Sequence, residues 1–268
     1  MENEELIKEI ITALYEKGHI LTLWNTKDKQ KQKEGWRLKN GQWSPWFLNL
    51  RTIGSSPRLF TKICYVMASM IAQYDLSLIV GIEMAGVPLV GGISATLHLA
   101  FNKMQAIGFT RPLPTKARTP LEALDIIKTS SISNQYGQKN YLEGELYDGA
   151  TVGIVDDMAT DIGSKIIARL LIIEEAKKRG VTIKCNKVFY LLNRNKENRQ
   201  RAADFVNEKE KALYPAAIDL HYLIEFDDHI HFLKDIMKPE EYEVISEYQK
   251  SADKFQKEDV RQKIINKW

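Results

Sequence analysis

The stretch TVGIVDDMATDIGSKIIARLLIIEEAKKRG, residues 151–180, holds an apolar run, two adjacent carboxylates, a short polar loop and an amphipathic run, in that order. TVGIV reads as a buried strand, and IGSKIIARLLIIEEAKKRG as a helix that stops at Gly180. Ligands of open α/β sheets bind at the carboxyl ends of strands, and Asp156 and Asp157 stand at that end. Paired acids there lose solvation unless hydroxyls or a cation meet them. The loop MATDIGS presents backbone N–H groups at a helix N-terminus, which favours an anion. Thr160 and Ser164 add hydroxyls. One segment thus offers acceptors for hydroxyls and donors for phosphate, which suits a sugar phosphate. The plainer alternative leaves Asp157 merely exposed and Asp161 as a helix cap. Neither a Walker-type Gly-Lys-Ser/Thr nor a G-x-G-x-x-G after a strand occurs.

Outward from this stretch, strand and helix keep alternating. LSLIVGIEMAGVPLVGG is a buried strand, a Gly-rich turn and the start of a helix of small residues, while KMQAIGFTR and TIKCNKVFYLLN are further strands. The alternation predicts an α/β fold with a mainly parallel sheet flanked by helices. SPRLFTKICYVMASMIAQY has helical spacing, as do Leu6, Ile10, Ile11 and Leu14 ahead of a stop at Gly18. TKDKQKQKEG reads as a solvated loop or hairpin tip, and WRLKNGQWSPWFLNLR as short strands and turns. Residues 112–139 are rich in Pro, Thr, Ser, Asn and Gln and read as an irregular segment of the kind that carries function or lacks order. From Leu223 on, the chain reads as a charged helical tail. Three parts follow: an N-terminal helix and hood (1–50), a core (51–222) and the tail (223–268).

Composition narrows the class. With 268 residues, 44% hydrophobic and 27% charged, the chain is an ordinary soluble protein able to bury a core. A net charge of +3 supplies no concentrated basic surface for nucleic acid. Two cysteines, Cys64 and Cys185, sit in apolar contexts and read as buried thiols of a reducing compartment. The acidic, amphipathic start is unlike a secretory signal, and no apolar run reaches the ~18 residues of a membrane span. A cytoplasmic protein without membrane contact is expected. His221, His229 and His231 lie in the acidic stretch DLHYLIEFDDHIH, which reads as a surface helix rather than a metal site.

The acid pair and its loop resemble the phosphoribosyl-diphosphate (PRPP) signature of the type I phosphoribosyltransferases. Three more segments resemble orotate phosphoribosyltransferases in the same order. RLKNGQWSPWFLNLR matches their substrate segment at Lys39, Gly41, Ser44, Pro45, Phe47 and Asn49. LIVGIEMAGVPLVGGISATL matches their diphosphate turn at Gly81, Ala85, Gly86, Val87 and Pro88. YGQKNYLEGELYDGATVGIVDD matches the end of their catalytic loop at Gly137, Glu143, Gly144 and Gly149. The resemblance covers residues 18–248 and leaves SADKFQKEDVRQKIINKW outside it.

The resemblance implies the type I phosphoribosyltransferase fold and transfer of phosphoribose from PRPP to orotate with Mg²⁺, in a homodimer with shared sites. It implies that Asp156 and Asp157 accept the ribose hydroxyls and favour positive charge at the anomeric carbon. Met158 to Ser164, with Thr160, Asp161, Gly163 and Ser164, would surround the 5-phosphate. Glu83, Met84, Ala85 and Gly86 would meet the diphosphate, and a Mg²⁺ held mainly by substrate needs no protein ligand cage. Lys39 and Phe47 would meet the base; by itself Lys39 reads equally as a surface turn lysine, and Phe47 by itself reads as a core ring. Arg111 would face the diphosphate, with Lys128 as the loop's second cation.

The chain also departs from the family pattern. Tyr136 and Asn134 replace the expected loop histidine and a lysine, leaving Lys116, Arg118 and Lys128 as the loop's basic residues. Asp161 and Ile162 replace small neutral residues in the phosphate loop. A carboxylate ~4 Å from phosphate costs roughly 4 kcal/mol at an effective dielectric of ~20. A different acceptor base, or a nucleotide-binding member impaired in catalysis, is therefore the alternative function.

Overall fold

The computed structural model describes the chain except residues 1, 39–40, 114, 116, 118, 130–139, 199, 201–217 and 267–268. The side chains of residues 2, 3 and 128 are likewise not described. Lys39, Lys116, Arg118, Asn134, Tyr136 and Gly137, and the side chain of Lys128, therefore lie outside the described residues. The chain divides into two compact units, one of residues 1–60 with 226–268 and one of residues 61–225.

The second unit holds the sheet. Its six strands run in the order β10-β9-β8-β5-β6-β7: β5 (Leu78–Gly81), β6 (Ala106–Thr110), β7 (Leu142–Glu143), β8 (Ala150–Ala159), β9 (Ile183–Asn193) and β10 (Asp219–Glu225). Every pairing is parallel except that of the short edge strand β7 with β6. Helix α4 (Gly86–Phe101) carries the chain from β5 outward to β6, and α6 (Gly163–Lys178) carries it from β8 the other way to β9. The strand order thus reverses between β5 and β8, where Gly81 lies opposite Val155. Crevices at the carboxyl ends of strands form at such a reversal.

Alternation along the strands sorts the core. Leu78, Val80, Val152 and Ile154 pack with Ile166, Leu170 and Ile173 of α6, and Ile162 belongs to the same buried cluster. Cys64 and Cys185 are buried free thiols, and burial pushes both up to about 12.

The segment 112–139 holds more order than its composition suggests, because residues 120–129 form helix α5. Pro120 opens it, the Thr119 hydroxyl accepts from Glu122 N, and Ala123 and Ile127 are buried. A Thr-Pro start followed by apolar residues four apart is a helix signal masked by polar flanks. β10 corrects the reading of DLHYLIE as surface helix: its β-branched and aromatic residues pair in register with β9. His221 stacks on Phe189 and lies 2.8 Å from the Asp219 carboxylate. Among the described residues no group of three His, Cys, Asp or Glu could hold a metal ion.

In the first unit, α1 (Glu2–Glu16) buries Ile10, Ile11 and Leu14 completely. Strands β1 (Ile20–Thr22) and β4 (Trp46–Leu48) pair antiparallel, as do β2 (Trp36–Arg37) and β3 (Trp43–Ser44). The charged run expected as a loop contains a helix, α2 (Lys29–Glu34). Asp28 caps it by accepting from Gln30 N and Lys31 N, and Gly35 ends it at φ 66°. The tail belongs to this unit. Trp46 stacks on Phe226 at 4.2 Å, and Gln256 exchanges two hydrogen bonds with the Trp43 backbone. Glu241 of the helix Pro239–Lys250 is buried and accepts hydroxyl hydrogens from Tyr15 and Thr22.

Candidate active site

Two loops lie side by side at the β5/β8 reversal. The first runs from Ile82 to Gly86, with Ile82 N donating to Val155 O and Gly86 N to Ile82 O. Glycine is required here by space. A Cβ on Gly86 would come within 2.6 Å of Val155 O, and one on Gly81 within 2.5 Å of Gly86 O. Glu83 and Met84 are exposed at the tip, the peptide bond between them is cis, and Ala85 and Gly86 are buried. The second loop carries Asp156 and Asp157 at the end of β8 and then enters α6.

The two acids have different surroundings. Asp156 is buried, with 7% of its surface exposed. Its Oδ2 lies 2.7 Å from Lys165 Nζ, and its Oδ1 accepts from Asp157 N at 2.9 Å. Asp157 is partly exposed and accepts from Met158 N at 2.7 Å. Desolvation, and then the charge of Asp156, push its carboxyl up to about 7 against the pull of Lys165. At neutral pH this second acid is therefore poised between its charged and neutral forms.

The phosphate loop explains its two unusual residues. Asp161 Oδ1 accepts from Gly163 N at 2.8 Å, so the acid, one residue ahead of the N-cap Ile162, satisfies the first N–H of α6. Ile162 is 5% exposed, points into the core cluster, and has an ordinary φ of −88°. Its bulk is kept off the exposed side of the loop. Thr160, Gly163 and Ser164 are partly exposed along the loop. Ser164 Oγ accepts from Lys165 Nζ at 3.3 Å, so its own hydrogen is left to donate.

Arg111 leaves the end of β6 beside these loops. Its Nε and a terminal nitrogen lie 2.8 and 2.7 Å from Glu143 Oε1, and its backbone N donates to Tyr141 O. The two ends of the loop are tied together at this point. Arg111 also acts on Glu83, whose carboxyl desolvation pushes up and this guanidinium pulls back. The structure thus brings together Glu83, Met84, Ala85, Gly86, Arg111, Asp156, Asp157, Thr160, Asp161, Gly163 and Ser164 at the carboxyl ends of β5, β6 and β8. Phe47 belongs to the first unit, half-buried, its ring parallel to Trp36 at 6.3 Å.

No family model matches the chain. The orotate phosphoribosyltransferase of Staphylothermus marinus is 26% identical over 164 residues, 61% of this chain and 63% of that protein. That of Methanocaldococcus jannaschii is 25% identical over 167 residues, 61% of this chain and 77% of that protein. The chain thus spans less than two thirds of the Staphylothermus relative. The crystal structure of Francisella tularensis orotate phosphoribosyltransferase has a TM-score of 0.55 at 15% identity, covering 90% of this chain and 98% of that one. Leishmania donovani UMP synthase has a TM-score of 0.60 at 16% identity, covering 91% of this chain and 42% of that one. In sequence the chain is similar to orotate phosphoribosyltransferases. Its central six-stranded sheet, flanked by helices, is the type I phosphoribosyltransferase fold.

Two groups of the site were not identified from the sequence. Lys165 was hidden as the first cation of an amphipathic helix, although it falls on the same stripe as Ile172 and Ala176, both buried. Glu175 is also buried: it accepts from Tyr141 N and Arg179 Nε, while Arg179 donates to Leu142 O and Gly144 O. This pair anchors β7, and with it the end of the loop that starts at Arg111. A charged residue on the buried stripe of a helix was the available signal in both cases.

Proposed function

We propose that this protein transfers phosphoribose from PRPP to orotate, giving orotidine 5'-monophosphate and diphosphate in pyrimidine biosynthesis. The observation that carries this reading is the acid pair, the phosphate loop and the glycine turn meeting at one strand-order reversal. The names of its curated relatives supply the choice of orotate. In the step itself, the bond from the anomeric carbon to the diphosphate oxygen breaks and its electron pair leaves with diphosphate. A bond to the base nitrogen forms, and that nitrogen gives up its proton. Asp157 favours the positive charge that builds on the ribose, and the Glu83–Gly86 turn and Arg111 receive the diphosphate. The donor set fits a Mg²⁺ that arrives on the substrate, since no described cluster of three ligands competes for it. Bound there, Mg²⁺ would neutralise the leaving group. Lys39 and Phe47 would meet the base. The buried thiols are suited to the cytoplasm, and no described helix is long and apolar enough to cross a membrane.

Purified protein with PRPP, Mg²⁺ and a panel of bases tests the reading by diphosphate release. Release with orotate supports it, and release only with another base replaces the acceptor. A second reading, a member impaired in catalysis, is favoured by one observation: Asp161 occupies the Gly163 N–H that an incoming phosphate would use. Absence of release with every base, together with stabilisation by nucleotide, supports that reading.

The same observation yields a prediction. Asp161→Thr removes a charge from the phosphate's approach and frees Gly163 N. A unit pair ~5 Å apart is worth about 3 kcal/mol at a dielectric of ~20, and partial exposure brings this to about 1.5 kcal/mol. KM for PRPP is expected to fall about tenfold, while loss of the bond to Gly163 N costs ~1 kcal/mol of stability. An unchanged KM means that the phosphate does not approach this carboxylate.

A homodimer with shared sites is part of the proposal. Tyr65, Leu99, Met104, Ile107 and Phe109 are exposed apolar side chains of α3 (Pro57–Ile71), α4, β6 and the turn between them. Exposed apolar surface of this kind suits a partner. Light scattering on the wild type should give the mass of two chains, and Leu99→Lys with Met104→Lys should shift it toward one. A monomeric wild type with full activity refutes the shared-site arrangement.

A further inference from the structure

Lys165 sits in the first turn of α6 and is 3% exposed. Burying an ammonium is costly unless each of its three N–H bonds finds an acceptor. Here all three do: Asp156 Oδ2 at 2.7 Å, Met158 O, and Ser164 Oγ at 3.3 Å. The ring of Tyr190 on β9 lies 5.7 Å away on a further side. No N–H is left for a substrate phosphate.

Asp156 is equally occupied. One oxygen is on the ammonium and the other on Asp157 N. Asp156 keeps spare lone pairs, but it is buried, so a sugar hydroxyl reaches it less readily than it reaches the partly exposed Asp157. Asp157 accepts a backbone N–H on one oxygen, has a side-chain hydrogen bond with Asp156, and is partly exposed.

We propose that Lys165 is a positioning residue of the phosphoribose site: it locks Asp156 as an anionic strut between β8 and α6, so that Asp157 alone meets the ribose hydroxyls. The inference rests on the phosphoribosyltransferase reading and divides the work within its acid pair. Lys165 acts through Asp156 and Met158 O, fixing the backbone from which Asp157 projects. The charged groups that act on Asp157 are Asp156 on its own strand and Lys165 from α6. Desolvation, and then the charge of Asp156, raise the Asp157 carboxyl to near neutrality, and Lys165 limits that rise.

The test uses Lys165→Met and Lys165→Arg in the full chain. The first readout needs no turnover: carbon NMR titration of the aspartate carboxyls in the free protein. The wild type should show Asp157 titrating near neutrality. In Lys165→Met the Asp157 carboxyl should titrate at least half a unit higher, with recovery in Lys165→Arg. The second readout is the pH profile of diphosphate release. Its acidic limb should move to higher pH in Lys165→Met, with KM for PRPP at least tenfold higher, and both should return toward wild type in Lys165→Arg. Unfolding curves for Lys165→Met, Asp156→Asn and the pair should show coupling, Lys165→Met costing much less once Asp156 is neutral. Carboxyl titrations and an acidic limb that stay in place in a folded Lys165→Met, or additive stability losses, overturn the proposal. A wild type that releases no diphosphate with any base refutes the functional reading instead, and the NMR titration and the coupling then decide the role of Lys165 alone.

Discussion

Asp157→Asn should lose diphosphate release by a factor of about 10²–10⁴ and at the same time make the protein more stable at pH 8. The loss follows from removing the charge that faces the developing positive charge on the ribose, a term of this size in many enzymes. The gain in stability follows from the carboxyl's displaced titration. In the folded protein Asp157 titrates near 7, and unfolded it returns to about 3.9. Between those values the folded chain holds a proton that the unfolded chain has released. Stability from this group is therefore fully present below about pH 4 and is lost as pH rises through 7. The full difference amounts to about 4 kcal/mol, and partial exposure of the side chain brings it to about 1–3 kcal/mol. Melting temperatures at pH 5.5 and 8 check this. The wild type should lose stability between the two, and Asp157→Asn should lack that component. A variant with equal activity, or with the wild-type pH slope, removes Asp157 from the role given to it.

Gly86→Ala carries the largest structural effect. The new methyl would stand 2.6 Å from Val155 O and 3.0 Å from Gly81 Cα. Neither neighbour is the end of a flexible side chain, so β5, β8 and the start of α4 must separate to admit it. Overpacking against backbone costs about 2–4 kcal/mol. In a chain of this size that lowers the melting temperature by about 5–15 °C. The same shift moves the turn proposed to receive diphosphate, so PRPP should no longer stabilise the variant. Gly91→Ala, further along α4, is the control. A Cβ there meets nothing within 4 Å, and alanine's helix preference should add about 0.5–1 kcal/mol. Equal melting temperatures for the two variants would mean that the strand ends are not packed as described.

Strands β5, β6, β8 and β9 were readable from sequence as apolar runs, and Asp156 and Asp157 mark the carboxyl-terminal part of one of them; β10 was not, because its histidine and acids gave it the look of a surface helix. Two helices escaped for a shared reason. In α2 and α5 the ordering groups, Asp28 and Thr119, are single cap residues inside polar runs, and the buried side of α5 rests on Ala123 and Ile127. Periodicity is weak over so few positions. In the site, residue types were legible but partners were not. Asp161 was identifiable as either a cap or an obstacle to phosphate, and its bond to Gly163 N, the first N–H of α6, agrees with both. Arg111 was legible as a cation at the mouth of the loop, while its pairing with Glu143 depends on β7 lying antiparallel to β6. Lys165 was not legible, because nothing local distinguishes a helix lysine in water from one beneath an aspartate.

The unit that begins the chain is finished by residues 226–268. Trp46 stacks on Phe226, and Trp43 is held by Gln256. On the ribosome, residues 61–225 emerge whole before either partner exists, so the sheet can mature while those tryptophans wait uncovered. Premature termination shortly after residue 225 would accordingly leave the sheet unit complete and the first unit without its Phe226 and Gln256 contacts. The product to look for is a trimmed protein in which residues 61–225 still resist protease and the first unit does not.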